Sequence, residues 1–566
     1  MNTRTLLLMW IVLLSQSYLV QPIFGQRTKP LQHYWEVDPE FGEIWGPRPT
    51  ARVIRFDANS LNSPQLQERV HVARMISREH KNPNFKQKEL ALELLIARLK
   101  GNEEPIQAKH AMLSTATLLD DGTHAATLWQ AAQSDPLSRS TVEKALIQWK
   151  NPVAVDAWRK RIADPLAIPR EVAIAIDGLA VVGGKEDNVA LTGLLRGHAT
   201  TPTNRHLAAV ALGQINKDGL NELAEQVLGT DLDERHLLAV QLLAQHSGET
   251  TLAQLRTIFK DGSNVAQFAA AQLLVARFPQ AAREYAPQMI AHVDSTVRKL
   301  ALELLNPLSD EDSLRLQAKL LNDRNIDIRR LAGMQLVKKA KEGQRQLVDE
   351  FIDEHINSEL WPGIEQATLM AVSLEERNRC PKLLELIEHP RPEVNMHAGW
   401  ALMELAQDPA ILASIVPHVE KATEFMEANG VRPPLYKTDT IRISFLLEAF
   451  GRNKYEPVQD LLMRYVPKNN FKLGFPSRAS AVWALGQLNK GKDNQALRAA
   501  LFERIADLAP YMPEDEVVRF GCILALGAME FEDSLPTLNK FNEGKPFPIG
   551  YACDWAIEQI TKAHPK

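Results

Sequence analysis

Apolar side chains recur three, four and seven residues apart along most of this 566-residue chain. Those offsets lie on one face of an α-helix. The clearest copy opens at Arg478 and reads RASAVWALGQL; Arg205 opens RHLAAVALGQI and Arg519 opens RFGCILALGAM. Looser copies open at Arg170, Arg235, Arg298 and Arg329. Three residues after the arginine comes a small side chain, such as Ala173, Ala208, Ala301, Ala481 or Cys522. Seven after it, in most copies, comes a leucine, and eight after it, in the best, Gly178, Gly213, Gly486 or Gly527. The small residue admits a neighbouring helix closely, and the leucine fills the remaining space. The glycine is expected where the helix ends.

A polar turn and a second apolar helix follow each copy, as in 220–228 and 314–321. The period of about thirty to thirty-five residues is that of a helical solenoid. One such hairpin cannot bury its apolar face alone, whereas a stack forms a continuous core. The pattern predicts an all-α fold over 66–566: a right-handed superhelical α-solenoid of stacked helical hairpins.

An aspartate often precedes the arginine, as Asp231, Asp294 and Asp323 do. With the alanine and the Leu-Gly pair, this grammar resembles HEAT repeats, in particular the short bacterial HEAT-like kind. The resemblance implies a ladder of aspartate and arginine between repeats, carried here by Asp294 with Arg298 and Asp323 with Arg329. The copies at 265–278 and 394–406 lack the arginine, so the ladder is expected to break there. The resemblance also implies a scaffold that binds a macromolecule, most readily a protein, on its concave face without catalysis. Some HEAT-like relatives act as lyases on bilin chromophores, and secreted α/α-toroid carbohydrate enzymes are also built of helical hairpins. Those are the rival readings.

The N-terminus changes the picture. Arg4, the apolar run 6–14 and the small-residue pattern Ile23, Gly25 predict a secretory signal over 1–25, cleaved before Gln26. An exported chain in a bacterial periplasm or envelope, or one secreted, follows, with no membrane insertion after cleavage. The mature chain has no Asn-x-Ser/Thr sequon, which favours the bacterial route. Residues 26–65 are rich in proline and contain Trp35, Phe41, Trp45 and Phe56. Dense proline opposes a helix. An extended arm is expected, either capping the first repeats or docking a partner. Two insertions, 427–440 and 467–477, are expected to be loops.

Composition adds exclusions. The net charge of −5 argues against a dedicated nucleic-acid binder. Aromatic content of 6% is low for a sugar-binding enzyme. Metal-protease, phosphate-loop and nucleophile-elbow motifs are missing, and Cys380, Cys522 and Cys553 form no C-x-x-C pair. No cofactor is expected, and the cysteines are expected to be buried, reduced thiols.

Candidate binding residues come from two repeat positions. Trp400, Trp483 and Trp555 follow the small residue by two, and Leu447 and Leu524 stand there in the intervening copies. They would either line a groove or pack against the adjacent helix. In the middle repeats the residue after the arginine is basic: His206, His236, Lys299 and Arg330. That is either a positive binding face or an ordinary solvated one.

Overall fold

The computed structural model describes residues 56–101, 104–197, 199–429, 436–542 and 548–565. Before residue 56 the described backbone is a two-residue antiparallel ladder, Val37–Asp38 with Gly42–Glu43. The signal segment, and Trp35 and Trp45 of the arm, lie outside the described residues. From Phe56 onward the described residues are helical hairpins, falling into two compact units, within 56–307 and within 308–565.

In the first unit the leading helices of successive hairpins pack side by side. Among them are Leu66–Glu79, Ile106–Leu119, Pro136–Gln148, Pro169–Val182, Pro202–Ile215, Asn264–Arg277 and Ser295–Leu305. The second unit repeats this with Ile326–Lys339, Trp361–Ser373, Pro392–Leu405, Tyr436–Arg452, Phe475–Leu488, Glu516–Met529 and Ile549–Ala563. Many start on a side-chain cap. Thr201, Ser263, Asp294, Asn325 and Asp515 each accept a hydrogen bond from a first-turn backbone N–H. The stack begins with Phe56, whose ring lies 5.5 Å from that of Phe85, and with Ala58 and Leu61, both fully buried.

The motif arginine is the fourth residue of its helix at Arg205, Arg298, Arg329, Arg478 and Arg519. Arg69 and Arg139 hold the same place in a region whose sequence repeat is degenerate. The side chain points back to carbonyls at the end of the preceding hairpin. Arg298 Nη1 donates to the His292 and Val293 oxygens at 2.9 and 3.0 Å. Arg478 donates to those of Tyr465 and Val466 at 3.0 and 3.1 Å. These carbonyls have no helical partner of their own, so the guanidinium satisfies them.

Five of these arginines also reach forward to a glutamate about one repeat ahead. Arg69 meets Glu104 at 2.9 Å, Arg139 meets Glu171 at 3.1 Å and Arg205 meets Glu234 at 2.8 Å. Arg329 meets Glu365 at 3.0 Å, and Arg478 holds Glu514 in a two-pronged pair at 2.7 and 2.8 Å. This corrects the ladder drawn from the resemblance. The Asp294 carboxylate caps its own helix through Thr296, and Asp323 offers Arg329 its backbone carbonyl at 3.4 Å. At 265–278 and 394–406, where a break was expected, an amide stands in for the arginine. Gln267 takes the position, with its Oε1 2.9 Å from His292 Nε2 of the next linker. Asn395 keeps the backward bond, donating to the His389 carbonyl at 2.9 Å.

The motif glycine does not end the helix; it lies inside it. A Cβ on Gly486 would stand 2.5 Å from the Ala525 Cα, and one on Gly213 only 1.9 Å from the Gln241 carbonyl oxygen. Gly451 meets Ala484 and Gly527 meets Ala556 in the same way, at 2.6 and 2.9 Å. The glycine is required by close approach of backbones.

Two further expectations change. The Arg170 copy is out of register: Arg170 is exposed, and Val172 is the fourth residue of its helix, followed by the buried Ala175 and Leu179. The insertions are largely structured. Residues 427–429 and 436–440 belong to the helices Pro409–Asn429 and Tyr436–Arg452, with 430–435 outside the described residues. A 3-10 turn, Lys468–Leu473, fills most of the second. All three cysteines are buried free thiols, with burial pushing Cys522 up to about 12 and Cys380 and Cys553 up to about 11.

Candidate binding surface

The tryptophan position is the ninth residue of the leading helix in Pro392–Leu405 and Phe475–Leu488. Its place is set by the glycine contacts. The Trp483 ring lies over Gly451, where a Cβ would meet it at 2.8 Å, and the Trp555 ring lies over Gly527, at 2.7 Å. Each indole thus covers the glycine of the preceding repeat. Trp483, Leu524 and Trp555 are all half-buried. Together they make a row of apolar groups on three consecutive leading helices.

Trp400 and Leu447 do not join that surface. Trp400 is 4% exposed and Leu447 is fully buried. For Leu447 the reason is register. Trp483 and Leu524 stand three residues before Gly486 and Gly527, and three before Gly451 stands Glu448. Glu448 is also fully buried and accepts a hydrogen bond from Ser480 at 2.5 Å. The long Tyr436–Arg452 helix gave the sequence no marker of its register except that glycine.

The basic position divides. Lys299 and Arg330 are exposed; His206 and His236 are half-buried. Burial lowers the His206 imidazole below its usual range, and its Nδ1 is buried without a hydrogen-bond partner. His236 is lowered too, by burial first and then by the adjacent Arg235. Both rings are biased toward the neutral form, so they add little positive charge at neutral pH. In the helix Pro169–Val182 the ninth residue is Asp177, whose carboxyl burial pushes up to about 7. Among the described residues, no three His, Cys, Asp or Glu side chains gather to hold a metal. No helix of the described residues is long and apolar enough to cross a membrane.

Sequence reasoning found the tryptophans but missed their glycine partners and the forward glutamates. The signal for the latter was present: a glutamate 29 to 36 residues beyond Arg69, Arg139, Arg205, Arg329 and Arg478. It moves from the helix start at Glu171 to the preceding linker at Glu234 and Glu514, and so escapes a fixed-offset reading.

No family model and no curated protein matches the chain. Solved structures do. The crystal structure of Kap121p matches with a TM-score of 0.50 at 13% identity, covering 89% of this chain and 56% of that one. The chain therefore spans little more than half of Kap121p. A Kap95p structure with RanGDP gives 0.47 at 14% identity, covering 90% and 72%. At such identities the likeness concerns the fold alone. The molecule is an α-solenoid, a stack of two-helix repeats. Its arginine, small residue and leucine grammar is similar to that of HEAT repeats.

Proposed function

We propose that this chain is an exported HEAT-like scaffold that binds a protein partner and performs no bond chemistry of its own. The observation that carries the reading is the half-buried row Trp483, Leu524 and Trp555 on consecutive helices. Aromatic groups with one face fixed in the core present large contact area at low entropic cost. Kap121p has been crystallised with RanGTP and with the SUMO protease Ulp1p, so solenoids of broadly this architecture do hold proteins. Export rests on the 1–25 signal pattern.

Two experiments test it. Residues 1–25 fused to alkaline phosphatase should give activity in an export-competent bacterium, and inactive fusions would remove the export claim. The mature chain and a Leu524→Glu variant, both checked for folding by circular dichroism, should be compared for proteins cross-linked in the envelope. A partner captured by the wild type and lost with the variant supports the reading. An identical set of captured proteins for both would overturn the row as the binding surface.

A further inference from the structure

We propose that the segment 507–515, with the cleft at its base, is a second docking site, which takes a protein segment bearing a bulky apolar side chain flanked by lysine or arginine. It uses residues outside the tryptophan row and stands whether or not that row binds.

The segment joins Gln495–Ala506 to Glu516–Met529 and carries three large apolar side chains into solvent. Tyr511 is 91% exposed, Met512 69% and Leu508 50%. Linkers usually keep such groups inside or replace them with polar ones. This segment is firmly held. The Glu514 N–H donates to the Asp507 carbonyl at 3.1 Å, closing the loop. The Glu514 carboxylate is locked by Arg478, and Asp507 is held by Lys468 at 2.5 Å. Pro510 and Pro513 stiffen the tip, and Met512 sits in the left-handed region at φ 58°. The exposed side chains are therefore pre-organised, which lowers the entropic cost of docking.

Beside the loop opens a cleft of about 570 Å³, lined by Met463, Val466, Pro467 and Ala500 and by two ion pairs, Lys468 with Asp507 and Arg504 with Glu503. It exists because the helix Gln459–Met463 is short while its neighbour Gln495–Ala506 is long. The volume accepts a large side chain.

Charge selects the occupant. The local cations lie inside and are engaged: Arg478 with Glu514, Lys468 with Asp507, Arg504 with Glu503, and Arg519 with the Ile505 carbonyl. Beside the loop, Glu516 and Glu503 are exposed, the latter while paired with Arg504. An apolar tip, and a cleft whose cations are already paired while Glu503 and Glu516 stay exposed, fit an apolar anchor between basic residues. They disfavour an anionic membrane surface.

The test uses the chain from Gln26 onward with two labelled synthetic peptides. Both share the same leucines and phenylalanine, one spaced by lysines and the other by glutamates. Fluorescence anisotropy should show the lysine peptide binding at least about tenfold tighter. Tyr511→Ser with Met512→Ser, both at exposed positions, should weaken it about tenfold or more while leaving the melting curve unchanged. Glu503→Lys with Glu516→Lys should weaken it independently. Equal affinity for the two peptides, undiminished binding by the Tyr511→Ser/Met512→Ser variant, or no binding by the wild type would overturn the proposal. So would co-sedimentation with phosphatidylcholine vesicles that the same double variant abolishes, which would assign the loop to lipid.

Discussion

The stacks at 202–305 and 436–563 are built from the same repeat and end in different interiors. In the second, Gly451, Gly486 and Gly527 press on Ala484, Ala525 and Ala556 in one continuous series. The helices Phe475–Leu488 and Glu516–Met529 are consequently buried nearly all round. In the first, Gly213 makes such a contact with Gln241, but Asn264–Arg277 buries little more than Ala266, Ala270, Ala271 and Leu274. Its arginine position is filled by Gln267 without breaking the row. In the glycine-packed helix Phe475–Leu488 water is excluded, and Arg478 holds a full counter-charge in Glu514, while the buried Arg519 of the next helix bonds the Ile505 carbonyl. At Gln267 an amide suffices.

The largest expected effect is at that buried pair. Arg478 is 1% exposed, and the Glu514 side chain is fully buried. Arg478→Ala should cost about 3–5 kcal/mol, because it strands a buried carboxylate. Gln267→Ala should cost only about 1 kcal/mol, the worth of a neutral hydrogen bond. The reactivity of Cys522, fully buried beside the pair, reports local opening against urea concentration. Replacing both partners, Arg478→Met with Glu514→Met, should recover part of the loss. Equal losses for Arg478→Ala and Gln267→Ala would dissolve the distinction between the stacks.

Close approach itself is tested next. Gly486→Ala should destabilise by about 1–3 kcal/mol, since the Ala525 backbone cannot swing aside. Gly193, within Asn188–Arg196, has nothing near its missing Cβ. There Gly193→Ala should stabilise by about 0.5–1 kcal/mol through helix propensity. Chemical denaturation followed by circular dichroism measures both. The same sign for both substitutions would mean that propensity, not proximity, governs these glycines.

The helical hairpins and their order were legible because period and small-residue spacing are local signals. The roles of individual residues were not. Gly486 looked like a terminus because its motif ends there, but its partner Ala525 lies a repeat away in sequence. Glu514 and Glu365 carry no motif; only the packed neighbour shows that their arginines need them. Val172 replaced an arginine while an exposed Arg170 stood two residues before it, so the register slipped. Of the candidate surface, Trp483, Leu524 and Trp555 stand half-open, and Trp400 was indistinguishable from them until its burial was known.

The smallest effect separates the two kinds of ninth-residue position, apolar at Trp483 and acidic at Asp177. Burial pushes the Asp177 carboxyl from 3.8 up to about 7 in the folded chain. Between those values the native state keeps a proton that the unfolded chain has released. This contribution to stability is complete below about pH 4 and is lost as pH rises toward about 7. An Asp177→Asn variant has no such titration. Wild type and variant should therefore keep a constant difference in unfolding free energy below pH 4. Above it the wild type should fall behind by about 1 kcal/mol or more, since a tenfold difference in proton affinity is worth about 1.4 kcal/mol and partial exposure softens it. Urea titrations at pH 4, 6 and 8 resolve a change of that size. Parallel pH curves for the two proteins would show that Asp177 is solvated and that this position is open in the first unit, as it is at Trp483 in the second.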